Sequence, residues 1–188
     1  MNFLSSIELE SGLDLIEASP ADMGRLELIV RRPQSNLREE LASGELDPSH
    51  GLVGDRWNLC QPTKPSDFDT QLTLMNSRTI DLIAVSRDRW SLAGDQLYVD
   101  LDLSVENLPA GTRLAIGEAI VVVTPEPHTG CRKFIDRFGR DAHVFVNSAT
   151  GRRLNLRGIY VRVERRGAVR VGESIRKLVG SSNPEFAT

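Results

Sequence analysis

The sequence predicts a mostly β domain with short helices, of the α+β class, in which the strands close into a small barrel. Three observations lead to this prediction. Several short segments alternate apolar and polar residues or are rich in β-branched residues, as strands are. Turns that contain glycine separate many of these segments. Neither a repeated βα alternation nor a glycine-rich phosphate loop is visible, so the sequence does not predict a doubly wound sheet.

The chain has 188 residues, of which 40% are hydrophobic and 26% charged, enough for one domain with its own core. We predict an N-terminal arm over residues 1–24, the barrel domain over 25–178 and a C-terminal tail over 179–188. No apolar run is long enough to cross a membrane, and the charged start does not resemble a signal peptide. The sequence therefore predicts a cytoplasmic protein with no membrane partner.

The first half of the chain gives one clear strand and several irregular segments. Residues 25–31 alternate well enough for a first strand, which Pro33 ends. Residues 36–46 suggest a short helical turn that contains Gly44. Two loops follow, a compact one bracketed by glycines over 51–57 and an exposed one over 58–70.

The middle of the chain alternates strands with one helix. The predicted strands cover residues 71–75 and 96–101, and Asn76 or Ser77 can cap a helix between them. A two-residue turn, Gly117-Glu118, predicts a hairpin between residues 112–116 and 119–123.

The last part of the chain begins with two short helices. Beyond Cys131 the apolar pattern predicts a helix that ends at Gly139, and a second short helix covers 141–146. Residues 158–163 form a strand, and residues 169–173 are interpreted as the closing edge of the barrel.

Cys131 is the candidate reactive residue. It follows the apolar strand over 119–123, at the point where the chain passes into a helix. His128 lies three positions before it, and Arg132 and Lys133 follow it directly. A helix N-terminus and neighbouring cations both favour a thiolate. The alternative is that Cys131 is inert packing, since cysteine is often buried, and that His128 is a loop or capping residue.

Charge is distributed unevenly along the chain. The net charge is −3, yet residues 131–178 contain thirteen Lys and Arg against four Asp and Glu. This asymmetry favours a small phosphorylated or oxyanionic ligand, for which Arg56 in the 51–57 loop is a further candidate. Aromatic residues are only 5% and no nucleic-acid motif is present, so nucleic acid is not predicted as a partner. The alternative is a solvated basic face that balances an acidic one.

Six segments together carry a resemblance to a known family. The chain resembles the MOSC domain, named for the C-terminal domain of molybdenum cofactor sulfurases. No single segment is specific, but their order is. The matching segments are residues 51–57 (GLVGDRW), 71–76 (QLTLMN), 108–117 (LPAGTRLAIG), 128–134 (HTGCRKF), 156–163 (LRGIYVRV) and 167–173 (GAVRVGE).

The resemblance implies a MOSC-like β-barrel that binds the molybdenum cofactor (molybdopterin), a pterin with a phosphate tail. Cys131 matches the cysteine proposed to carry sulfur as a persulfide or to ligate molybdenum. Some standalone relatives look like components that reduce N-hydroxylated compounds. The residues expected to bind the cofactor are Arg56, His128, Arg132, Lys133 and Arg157.

Two departures from larger relatives limit the expected activity. The sequence lacks a pyridoxal-binding lysine motif and a separate β-barrel domain before residue 25. A sulfur-donor protein, a small persulfide or an electron-transfer protein would therefore have to act as partner. The chain is then expected to be a sulfur transferase or a component of a molybdenum-dependent oxidoreductase.

Three other hypotheses stay open from the sequence. The first is a binding module that holds molybdopterin or another anion without turnover. The second is a zinc site built from His128, Cys131 and His143 with Cys60. The third is a Cys-His hydrolase, for which no oxyanion hole or orienting carboxylate is visible.

Overall fold

The computed structural model describes residues 3–60 and 64–178. It begins with two short helices, α1 (Ser6–Ser11) and α2 (Leu13–Glu17), within the segment expected to form an acidic arm. Ser5 caps α1 in a capping box with Glu8, which satisfies free amides of the first turn. Leu9 and Ile16 are buried. The segment thus adds apolar side chains to the core.

A closed barrel of seven strands forms the centre of the molecule. The strands are β1 (Met23–Arg31), β5 (Leu72–Asn76), β6 (Leu97–Asp100), β7 (Arg113–Ile116), β8 (Ala119–Val123), β9 (Ile159–Arg165) and β11 (Ser174–Leu178). Around the ring they follow the order β1, β11, β7, β8, β9, β5, β6 and back to β1. All neighbours are antiparallel except β5 and β6, which are parallel. This confirms the predicted barrel.

Four further strands lie outside the ring. β2 (Glu39–Leu41) pairs with the end of β1. A small second sheet is formed by β3 (Ser43–Asp47), β4 (Gly51–Leu52) and β10 (Gly167–Arg170). The predicted helical turn over 36–46 is therefore wrong. The pairing of β3 with β10 joins residues more than a hundred positions apart, and a local pattern does not reveal such pairing.

The closing edge of the barrel also differs from the prediction. Within residues 169–173, Val169 and Arg170 belong to β10 in the small sheet. β11 closes the barrel instead, by pairing with both β1 and β7. The alternation over 169–171 is a genuine strand signal, but it does not specify which sheet the strand joins.

The two longest helices lie where helices were predicted, whereas the short helices at 6–11, 13–17 and 149–153 were not predicted. Asn76 caps α3 (Ser77–Ala84), and its Oδ1 accepts hydrogen bonds from the amides of Arg78 and Thr79. The remaining α-helices are α4 (Arg132–Asn147) and α5 (Ala149–Arg153), and α4 is broken at Gly139. 3-10 helices cover Arg56–Cys60, Pro65–Thr70 and Arg87–Ala93, so the expected 58–70 loop is partly helical; its residues 61–63 lie outside the described residues.

Two apolar clusters divide the core. One fills the barrel and includes Leu26, Leu74 and Val121. The other lies between the outside of the barrel and the helices, and includes Tyr98 and Phe134. The two faces follow from the alternation of side chains along strands such as β1. No helix in residues 3–60 and 64–178 is long and apolar enough to span a membrane.

Candidate functional site

Cys131 lies at the N-cap of α4, where the loop after β8 passes into the helix. Its backbone is extended, with φ −104° and ψ 178°, and its carbonyl oxygen accepts the amide of Phe134 at 2.9 Å. The side chain makes no capping hydrogen bond, and the free thiol is exposed. The sulfur is thus available to a reagent or ligand at a helix N-terminus, where partial positive charge favours an anion.

His128 belongs to the same loop, and its side chain is buried. Its side chain is 8% exposed, and its ring packs on Tyr160 with 4.5 Å between ring centroids. Its Nδ1 is buried and has no hydrogen-bond partner in the described part of the chain. Burial, together with the positive charge of Arg157, lowers the pKa of His128 to about 3. The imidazole is therefore neutral near pH 7.

Arg157 and Asp95 form a buried ion pair beside His128. Nη1 of Arg157 donates to both carboxylate oxygens of Asp95, at 3.0 and 2.7 Å, and Nη2 donates to the carbonyl of Ala93 at 3.1 Å. The Phe134 ring covers the guanidinium at 5.1 Å. Two nitrogens of the Arg157 guanidinium thus donate hydrogen bonds within the protein, while its buried Nε has no partner among the described residues. Sequence reasoning missed Asp95, because 62 positions separate it from Arg157.

Four arginines surround the turn over residues 92–95. Arg32 donates to both carboxylate oxygens of Asp55, each at 2.9 Å, and to the carbonyl of Gly94 at 2.8 Å. Arg137 donates to the carbonyl of Leu92 at 2.7 Å. We call these residues the Gly94 arginine cluster; its members are Arg32, Arg38, Arg137 and Arg157.

Two members of this cluster have no carboxylate partner. Asp55 and Asp95 neutralise Arg32 and Arg157, but within the described residues no acidic side chain pairs with Arg38 or Arg137. Both guanidinium groups lie within 4 Å of the point where a Cβ on Gly94 would be. Burial and the charge of Arg137 lower the pKa of Arg38, and its Nε is buried without a partner in the described structure. Such an arrangement is suited to an anion.

The other predicted cations are placed differently. Arg132 and Lys133 are exposed on the first turn of α4, and Arg132 pairs with Asp136 at 3.6 Å. Arg56 is exposed on the 3-10 helix, where it lines a shallow depression with Arg32 and its charge acts on Arg38. The structure thus brings together His128 and Arg157, which lie on either side of Asp95. Arg132 and Lys133 follow the exposed thiol of Cys131 along the chain, and Arg56 lies near Arg38. Arg38 and Arg137 were missed, because no local motif marks them.

A groove of about 420 Å³ lies beside His128. The loop over residues 123–129 forms one wall, and Val146 and Ile159 contribute apolar surface. Asn155 and Arg152 supply polar groups at its edge. The groove has room for a small organic molecule.

Several basic residues of the segment 131–178 are paired with acidic groups from earlier in the chain. Arg166 pairs with Glu45, and Lys177 pairs with Asp22 at 3.2 Å. Arg153 likewise pairs with Glu17 at 2.8 Å. Much of the excess positive charge in the C-terminal segment is therefore balanced locally, whereas the charge near Gly94 is balanced only in part.

The zinc hypothesis finds no support in the described residues. Among them, no group of three His, Cys, Asp or Glu residues could hold a metal ion. Nε2 of His143 lies 3.0 Å from the carbonyl oxygen of Gly130. The side chain of Cys60 lies outside the described part of the structure.

Comparisons with known proteins bear on the family and the fold. A model of the MOSC domain matches residues 68–176. Among solved structures, the chain is similar to the YUAD protein from Bacillus subtilis, with 17% identity, a TM-score of 0.55, and coverage of 81% of this chain and 94% of that one. It is also similar to YiiM from Escherichia coli, with 20% identity, a TM-score of 0.54, and coverage of 85% and 72%. At these identities the structural likeness establishes the fold alone. No curated protein matches the chain.

Proposed function

The chain belongs to the MOSC domain family, and on that premise we propose that it binds the molybdenum cofactor and acts through the Cys131 sulfur. The family is generally associated with this cofactor. The observation that carries the proposal is the position of Cys131: a free, exposed thiol at a helix N-terminus, on the same helix as Arg137 of the Gly94 arginine cluster. A soft sulfur ligand and an anion-binding group are then both carried by α4.

The residues present fit the cofactor. A pterin with a phosphate tail needs cations for the phosphate, and Arg38 and Arg137 face a common point near Gly94 without a carboxylate between them. The buried Nε of Arg38 is unpartnered in the described structure, and a phosphate oxygen would satisfy it. Arg56 adds positive charge on the same side.

The other site residues would support binding without holding the phosphate. Arg157, fixed by Asp95, supplies a positive charge at the buried base of the site. His128 is neutral and offers its unpartnered Nδ1 as a hydrogen-bond donor or acceptor. Arg132 and Lys133 place cations at the exposed side of the thiol. The bound cofactor would supply molybdenum as a redox-active metal, with Cys131 as its protein ligand.

In the sulfur-carrier form of the proposal, Cys131 acts as a nucleophile. Its thiolate attacks the outer sulfur of a donor persulfide, and a new S–S bond forms on Cys131 as the S–S bond of the donor breaks. The donor leaves as a thiolate, and the transferred sulfur keeps its proton. The exchange needs no oxidant or reductant. Exposure of the thiol allows such a donor, whether a protein or a small molecule, to approach.

In the oxidoreductase form, the substrate would lie in the groove beside His128. Its volume of about 420 Å³ accommodates a small N-hydroxylated compound. Reduction of such a compound to an amine and water takes two electrons and two protons. An electron-transfer protein would supply the electrons, and solvent the protons.

The test is to purify the protein from a host that makes the cofactor and to measure molybdenum, pterin and the mass of the Cys131 peptide. Wild type is compared with Cys131→Ala, with Arg38→Gln/Arg137→Gln, and with Arg140→Gln as a control on the same helix. We expect pterin to be lost in the double arginine variant. Molybdenum or the persulfide should be lost in Cys131→Ala, and the control should match wild type.

Each outcome separates the alternatives. Molybdenum and pterin that both persist in Cys131→Ala, with no persulfide in wild type, would favour a binding module without turnover. Wild-type protein that contains neither molybdenum, pterin nor persulfide would refute the proposal.

A further inference from the structure

α4 folds back onto the loop that precedes it. At Gly139 the backbone has φ 87° and ψ 169°, so the element consists of two helical runs that meet at an angle. This conformation is available almost only to glycine. The second run, residues 140–147, therefore returns towards Gly130, the residue immediately before Cys131.

Two side chains of the second run hold the backbone of Gly130. Asn147 Oδ1 accepts the Gly130 amide at 3.1 Å. Nε2 of His143 lies 3.0 Å from the Gly130 carbonyl oxygen, which can only accept, so this ring nitrogen is the donor. Asn147 Nδ2 also donates to the His143 carbonyl at 2.9 Å. We call this pair of side chains the Gly130 latch.

The latch is packed too closely to admit a side chain at position 130. A Cβ on Gly130 would lie 2.8 Å from Nδ2 of Asn147 and 3.1 Å from the His143 ring. The latch residues are in turn fixed to the rest of the molecule. Phe145 and Val146 are buried in the outer core cluster, and the Ser6 amide donates to Asp141 at 3.1 Å.

We propose that His143 and Asn147 are positioning residues for Cys131. They fix the peptide group before the cysteine, while the first turn of α4 fixes the group after it through the Cys131 carbonyl. Together these contacts hold the exposed thiol at the helix N-terminus. The inference rests on the proposed function in one respect, that Cys131 is the reactive sulfur.

His143 acts through the backbone rather than as a base for the thiol. Its Nε2 is occupied by the Gly130 carbonyl, and Asn147 contacts the carbonyl of His143 rather than its ring. The sequence order Cys, His, Asn therefore does not correspond to a hydrolase triad in this structure.

The test uses a Cys60→Ser background, in which Cys131 is the single thiol of the chain. The variants are His143→Leu and Asn147→Leu, which remove the contacts. The conservative variants are His143→Gln, which keeps a donor, and Asn147→Asp, which keeps the acceptor for the Gly130 amide. Arg140→Gln is the control on the same helical run. Hydrogen exchange of the Gly130 amide and the rate of Cys131 alkylation by iodoacetamide are measured in each.

We expect Asn147→Leu to speed exchange of the Gly130 amide about tenfold, since its hydrogen bond is lost. Alkylation should slow by about two- to fivefold in both leucine variants, as the thiol leaves the helix N-terminus. His143→Gln and Asn147→Asp should stay within about twofold of the background rate. If the leucine variants acted only through a general loss of packing, the conservative variants would not be expected to restore the alkylation rate.

Equal alkylation rates in all variants would overturn the inference, as would an unprotected Gly130 amide in the background protein. If a leucine variant fails to fold, the test uses the two conservative variants instead. A Gly130 amide that exchanges without protection in folded Asn147→Asp would then refute the inference. All measurements use the bare thiol. Absence of molybdenum and persulfide from the purified protein would thus refute the proposed function and leave the latch result unaffected.

Discussion

Nδ1 of His128 lies 3.7 Å from Oδ1 of Asp95, yet the carboxylate is committed to Arg157. The histidine is therefore buried beside an ion pair without joining it. The Tyr160 ring packs against His128 at a tilt of 42°, and burial and the charge of Asp95 raise the pKa of this phenol. Near pH 7 the imidazole of His128 is therefore neutral and the phenol of Tyr160 keeps its proton.

The burial of His128 beside this ion pair predicts that the free energy of unfolding decreases in acid because of His128. The folded protein keeps His128 neutral down to a pKa of about 3, whereas the unfolded chain binds a proton near pH 6.5. Between these values the unfolded state binds more protons, so stability falls as the pH falls, by up to about 1.4 kcal/mol per pH unit. The contribution is fully present above pH 6.5. Urea unfolding at pH 7, 6, 5 and 4 measures it.

The matched variant is His128→Phe, which keeps a ring against Tyr160 but does not titrate. Its free energy of unfolding should fall less steeply with decreasing pH than that of wild type. Parallel curves for the two proteins would contradict the prediction.

The buried ion pair between Asp95 and Arg157, beside His128, should be essential to the stability of the fold. Asp95→Asn leaves Arg157 buried without a counter-charge, which should lower the free energy of unfolding by about 3 kcal/mol. Denaturant unfolding at pH 7 measures the loss. Asp136→Asn, which breaks the exposed pair with Arg132, serves as control and should change it by less than about 0.5 kcal/mol. Similar losses in both variants would show that burial of the pair is not the cause.

Arg38 and Arg137 should bind a simple anion even without a cofactor. Inorganic phosphate, compared with chloride at equal ionic strength, is expected to stabilise the wild-type protein by about 1 kcal/mol once it exceeds its dissociation constant several-fold. Arg38→Gln/Arg137→Gln should lose this effect because the unpaired guanidinium groups are gone. Thermal unfolding reports the difference. Equal stabilisation of wild type and the double variant would place the anion elsewhere.

The break in α4 should tolerate no side chain. Gly139→Ala is expected to destabilise the protein by about 2 kcal/mol, because the residue has φ 87° and its Cβ would lie 2.8 Å from the Phe3 ring. Adding Phe3→Ala should restore part of the loss by removing the contact with the ring. The backbone strain would remain. Strict additivity of the two changes in a double-mutant cycle would exclude the contact as a cause.

The barrel and the position of Cys131 could be predicted because their signals are local. The Gly117-Glu118 hairpin, the Asn76 cap and the helix break at Gly139 each depend on neighbouring residues, and all three are present. The small sheet could not be predicted, because β3 finds its partner in β10, far along the chain. The Gly94 arginine cluster could not be predicted for the same reason. Its members come from three separate segments, and no spacing rule connects them.

The ring of strands closes only through β11, which pairs with β1 and β7. During synthesis the ribosome must therefore release residues 174–178 before residues 23–25 of β1 gain their partner across the closing edge. Until then, β1 and β7 each expose an unpaired edge that can join another nascent chain. A truncation that removes β11 should leave an open sheet with unpaired edges that aggregates. The truncated protein should be found in inclusion bodies or bound to chaperones rather than as a smaller barrel.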